Sequence, residues 1–71
     1  MSSTHGQIIE SYGRGDAVWI TVWDFERQEK LAVPVDERFE KHVSDGVTIL
    51  HVDDELWQIA LDDGTLVFQQ H

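Results

Sequence analysis

The stretch Ala17-Val18-Trp19-Ile20-Thr21-Val22-Trp23-Asp24-Phe25 decides how this 71-residue chain is read. It is dense in β-branched and aromatic side chains, which suit a pleated, packed surface. Taken with period two, Val18, Ile20 and Val22 point to one side, while Trp19, Thr21, Trp23 and Phe25 point to the other. Both sides are apolar. The stretch is therefore expected as a strand that is covered on both faces, or buried on one and carrying a binding patch on the other.

Moving outward, Glu26-Arg27-Gln28-Glu29 is the polar tip of a hairpin, and Lys30 to Val35 returns as a strand with Leu31, Val33 and Val35 on one face. Matching the aliphatic stripes sets Val22 opposite Leu31, Ile20 opposite Val33 and Val18 opposite Val35. Pro34 has no N–H to give a ladder, so this strand ends there or lies at an edge. Upstream, Gly13-Arg14-Gly15-Asp16 is a turn. Gln7 to Tyr12 is expected as a short strand with Ile8 and Tyr12 on one face and Ile9 on the other. The polar residues 1–6 are expected to be a flexible N-terminus, leaving 7–71 as a single β-rich domain.

Downstream, Asp36 to Gly46 is the helical candidate. Asp36 caps it, Phe39 and Val43 form an i,i+4 apolar pair, Glu37 and Lys41 an i,i+4 ion pair, and Gly46 a left-handed stop. Two turns would not stand alone, so both apolar residues are expected against the sheet. Val47 to Val52 is a further strand. Asp63-Gly64 signals a two-residue hairpin turn, which sets Leu61 opposite Leu66, Ala60 opposite Val67 and Ile59 opposite Phe68. One face then collects Trp57, Ile59, Leu61, Leu66 and Phe68. Val18-Trp19 and Leu56-Trp57 each open a hairpin, a weak internal echo.

These elements predict a mostly β fold, with α+β as the alternative. The expected form is a small five- to six-stranded antiparallel barrel, or a strongly twisted sheet, with one short helix between strands 3 and 4. That helix position is shared with OB-type barrels, a likeness of element order only. An SH3-like barrel or an open sheet with the helix on one face competes with it.

Composition narrows the functional classes. Fourteen carboxylates against five Lys and Arg give a net charge of −9. Such a field repels phosphates, so direct nucleic-acid binding is not expected. Eight Asp, six Glu and only two Lys give the surface of a salt-adapted, halophilic-like protein, or simply of an acidic one kept soluble by self-repulsion. There is no Cys, no ~20-residue apolar run and no signal-peptide pattern, so a soluble cytoplasmic protein is expected.

No motif points to catalysis. His5, His42, His51 and His71 fall into no ligand spacing; His51 beside Asp53 or Asp54 is at most half a metal site and reads first as a strand-end residue. Asp53-Asp54 and Asp62-Asp63 read as turn residues, since neither has the spaced ligands of a calcium loop. Ser11 and Ser44 sit in no nucleophile elbow, and Gly13-Arg14-Gly15 is too short to cradle a phosphate. No enzyme activity, cofactor or metal is expected. The candidate binding residues are Trp19, Trp23 and Phe25. Either these aromatics close the core, or they bind a protein partner that carries a basic or apolar segment. The alternative is an acidic mimic of nucleic acid that occupies a DNA- or RNA-binding protein. No membrane contact is expected, and monomer and dimer both remain open.

Overall fold

Six antiparallel strands form one sheet in the computed structural model, which describes residues 2–52 and 57–70. They are β1 (Ser2–Arg14), β2 (Ala17–Asp24), β3 (Glu29–Val35), β4 (Gly46–His51), β5 (Trp57–Leu61) and β6 (Leu66–Gln70). A 3-10 helix, Glu37–His42, joins β3 to β4. The order across the sheet is β3-β2-β1-β4-β5-β6, and the sheet curls strongly into a half-barrel.

The long strand β1 makes that curl possible. Its first half pairs with β4, from Ser2 opposite His51 to Gln7 opposite Gly46. Its second half pairs with β2, and the two ladders overlap only at Gly6 and Gln7. A bulge between Ile8 and Glu10 bends the strand there, as an unpaired extra residue does. Gly6 lies at the fold of the sheet, and a Cβ on it would meet the Trp23 carbonyl oxygen at 2.6 Å. Only glycine lets two neighbouring strands close so tightly on a third.

The concave side is the core. Ile8, Ile20, Val22, Val33, Val47, Ile49 and Ile59 are nearly inaccessible, with Phe39 from the helix, Leu61 and Val67 around them. Each such side chain contributes ~1.5–3 kcal/mol of burial. The β2–β3 register is as expected, with Val18, Ile20 and Val22 opposite Val35, Val33 and Leu31. The edge position of β3 accommodates Pro34.

Several expectations are corrected. The polar start is part of the sheet: Ser2–Gly6 is paired with β4, and Thr4 and Gly6 are buried. Ile8 and Tyr12 lie on opposite faces, because the bulge at Ile9 switches the alternation: Ile8 stays inside while Tyr12 pairs with Trp19 outside. The helix is 3-10, not α. Its Asp36 cap is as expected, with Oδ1 accepting from the Arg38 N–H at 3.1 Å. Three residues per turn align i with i+3, so Phe39 lies against His42, ring centroids 5.7 Å apart and planes tilted by 45°. Val43 is turned outward, 41% exposed, and Glu37 and Lys41 do not pair. The left-handed residue at the exit is Ser44, with φ of 82°, and Gly46 already belongs to β4.

The last hairpin also differs by one residue. Gly64 N–H donates to the Leu61 carbonyl and Leu61 N–H to the Thr65 carbonyl, both at 2.9 Å. Asp62-Asp63-Gly64 is thus a three-residue loop ending in a left-handed glycine, φ 94°. Ala60 then faces Leu66, a register shift follows, and Ile59 faces Phe68 as expected. Val67 is buried in place of Leu66, which is 44% exposed. Trp57 packs on the core against Phe68, ring centroids 5.0 Å apart, whereas Trp19 faces outward, so the two tryptophans of the echo are not structural equivalents.

Candidate functional site

The outer face of β1, β2 and β3 gathers the residues singled out from the sequence. Trp19 and Trp23 are half-buried there, and the core closes without them. They sit four residues apart on β2, a separation of ~13 Å at ~3.3 Å per residue. Thr21 between them is only 9% exposed. Phe25 lies just past the end of β2 and is 52% exposed.

The ladders set the neighbours of each. Trp19 has Tyr12 on one side and Pro34 on the other; Thr21 has Glu10 and Ala32; Trp23 has Gln7 and Lys30. Directly opposed side chains on one face lie ~4.5–5.5 Å apart at Cβ, so these residues form one continuous patch. Arg14, at the end of β1, places its guanidinium carbon 5.4 Å from the Trp19 ring centroid. Ile9, at the bulge, is 42% exposed.

The tip that carries Phe25 is held by a buried carboxylate. Asp24 is wholly inaccessible; its Oδ1 accepts from the N–H groups of Glu26 and Arg27, each at 3.0 Å, and its Oδ2 accepts from the Thr4 hydroxyl at 3.1 Å. Phe25 N–H donates to the His5 carbonyl at 3.0 Å, and Gln28 turns the chain at φ 55°. Because Asp24 points inward, Trp23 before it lies on the outer face and Phe25 enters the loop.

A second cluster lies at the other end. His42, Asp45, Gly46, Leu61, Asp62 and Asp63 line an open groove of about 270 Å³. His42 Nδ1 is 2.7 Å from Asp45 Oδ2. Hydrogen bonds from Thr65 hold the Asp63 carboxyl below the ordinary 3.8, opposed by desolvation and helped least by the charge of His42. Thr65 N–H reaches Asp63 Oδ1 at 2.8 Å, so Asp63 acts as the turn residue expected of it. No group of three or more potential metal ligands forms among the described residues. His51 lies at the end of β4, opposite Ser2 and Trp57, and its Nε2 has no hydrogen-bond partner among the described residues. Asp53 and Asp54 lie outside the described residues, as do Leu56 and His71.

The structure therefore brings Trp19 and Trp23 onto one face, with Phe25 beside its end. Sequence reasoning missed Glu10, Tyr12 and Arg14 as their neighbours. The missing signal was the β1–β2 register, which is set by Gly15-Asp16 as a two-residue turn, Gly15 at φ 63°, and which the bulge then shifts. No helix among the described residues is long and apolar enough to cross a membrane. Comparison with known proteins returns no matching family model, no matching curated sequence and no matching solved structure.

Proposed function

We propose that the chain is a small, non-catalytic interaction module that binds a protein partner through the outer face of β1–β3, with Trp19, Trp23 and Phe25 as contact residues. One observation carries this reading: the hydrophobic core is complete without these aromatics, yet they are held on one patch of a sheet. Large side chains on a folded surface, rimmed by polar residues, are how recognition patches are built. A partner segment with basic and apolar character suits the net charge of −9.

The nucleic-acid-mimic alternative needs carboxylates spaced along one track. The acids at the helix and the β5–β6 turn are interleaved with Arg38, Lys41 and His42, which counts against it. The test compares partner capture by the native chain and by Trp23→Ala at matched ionic strength. Trp23→Ala is expected to abolish capture at a temperature where its melting curve shows the variant still folded, because the ring lies outside the core cluster. Capture should weaken mildly between about 0.1 and 1 M salt, over which the screening length drops from ~10 to ~3 Å. Steep loss with salt, indifferent to Trp23→Ala, would favour the mimic instead.

A further inference from the structure

We propose that the outer face recognises an arginine of its partner, with the guanidinium stacked on Trp23 or Trp19 and paired with Glu10, and that Arg14 is the chain's own occupant of the Trp19 position. This rests on the reading of that face as a partner surface and adds the chemistry of what it reads.

The first observation is Arg14 itself. Its guanidinium lies 5.4 Å from the Trp19 ring centroid, within the reach of a cation–π contact. Arg14 is exposed at the last ladder position of β1, opposite Ala17 and next to the Gly15-Asp16 turn, where Gly15 has φ of 63°. The Trp19 ring thus already accepts a guanidinium, delivered by an exposed side chain that forms no ion pair among the described residues.

The second observation is the carboxylate beside the two rings. Glu10 is opposite Thr21, midway between Trp19 and Trp23 on the same face. Diagonal neighbours across an antiparallel pair are ~7–8 Å apart, so Glu10 is within side-chain reach of a cation on either ring. Glu10 is exposed and forms no ion pair among the described residues. Trp23 carries no stacked cation among the described residues, although Lys30 is opposite it on β3.

Two indoles flanking an unpaired carboxylate complement a cation with a flat face. Arginine fits this better than lysine: its planar guanidinium stacks on a ring and donates sideways to a carboxylate at once, and it sheds water more readily. Ile9 and Phe25, 42% and 52% exposed, supply apolar contacts for the residues beside the arginine. The ligand class is therefore an extended protein segment with an arginine between apolar neighbours.

The test uses a capped pentapeptide, serine-leucine-arginine-leucine-serine, and its counterpart with citrulline, which keeps the shape and removes the charge. The indole N–H resonances of Trp19, Trp23 and core-packed Trp57 report binding site by site. The arginine peptide is expected to shift Trp19 and Trp23 but not Trp57, and to bind at least about fivefold more tightly than the citrulline peptide. Glu10→Gln should weaken it about two- to fivefold. Arg14→Ala, by vacating Trp19, should tighten it about two- to fivefold. Equal binding of both peptides at Trp19 and Trp23 would overturn the arginine reading and leave the partner surface standing. So would failure of either peptide to shift the indoles while partner capture still depends on Trp23. Capture that ignores Trp23→Ala would overturn both. An oligothymidylate that shifts the two indoles more strongly than the peptide would assign the face to nucleic acid, against this proposal.

Discussion

Asp24 is the residue on which the most local structure depends. Three donors converge on a carboxylate with no access to water, and two of them are the backbone N–H groups that open the β2–β3 loop. Removing the acceptor leaves each of these donors without its partner, at ~1–3 kcal/mol for a buried group. Asp24→Ala should therefore cost about 3 kcal/mol or more. Asp24→Asn should cost clearly less, because an amide oxygen still accepts from Glu26 and Arg27 and the amide N–H can reach the Thr4 hydroxyl. Urea unfolding of the pair decides it, and equal midpoints would refute the role. Asp63 gives a residue-scale pH effect with a definite sign. Thr65 favours its ionised form, so its folded pKa lies below the unfolded value near 3.8. Its contribution is fully present above 3.8 and is lost as pH falls through the lower folded value. A carboxyl carbon titration by NMR should place Asp63 below 3.8, and Asp63→Asn should not change stability's slope with pH above that value.

At the scale of elements, the helix and the last hairpin obey geometries with odd repeats. Three residues per turn put Phe39 under the sheet and rotate Val43 to solvent. Phe39→Ala should cost ~3–5 kcal/mol, enough to unfold much of so small a domain, while Val43→Ala should change stability by less than about 0.5 kcal/mol. Thermal melts of the two variants check this; similar shifts would mean that the helix seats differently. In the hairpin, Gly64 closes a three-residue loop at φ 94°. Gly64→Ala is expected to destabilise by about 1 kcal/mol through left-handed strain, despite open space around its Cα. An unchanged melting curve for that variant would show that the loop relaxes into another turn.

At the scale of the whole molecule, charge works against compactness. Fourteen carboxylates share an 8.2 kDa chain with a radius of gyration of 11.3 Å. At low salt most of them lie within about one or two screening lengths of each other, whereas at 1 M that length is ~3 Å. The unfolded chain spreads the same charges, so added salt should stabilise the fold. Melting temperature is expected to rise in KCl from about 0.05 to 2 M, the range that crosses the screening change. Lowering pH from 7 toward 4.5 should act in the same direction by neutralising exposed acids, and Asp63 keeps its turn contact throughout that window. A melting temperature that stays flat or falls with KCl would show that the acidic surface does not repel itself.

What the sequence determined alone follows from alternation and matching of stripes. Val18, Ile20 and Val22 against Val35, Val33 and Leu31 leave one register that keeps both stripes on the same side, so the β2–β3 pair was legible residue by residue. The strand-rich class, the helix between the third and fourth strands, its Asp36 cap and the placing of Trp19 and Trp23 together, opposite Val18, Ile20 and Val22, were legible in the same way, but not which of the two sides is the core. Tertiary structure decided the features that shift a period by one. The bulge at Ile9 brings Ile8 into the core while Tyr12 and Glu10 lie beside the tryptophans, the three-residue loop moves Leu66 to solvent, and the 3-10 turn moves Val43 away from the core. Each is a single-residue change of phase, and no local preference distinguishes the two phases. It is settled by which one lets β1 serve two ladders at once and lets distant strands close on Gly6, a contact between residues that the chain order keeps far apart.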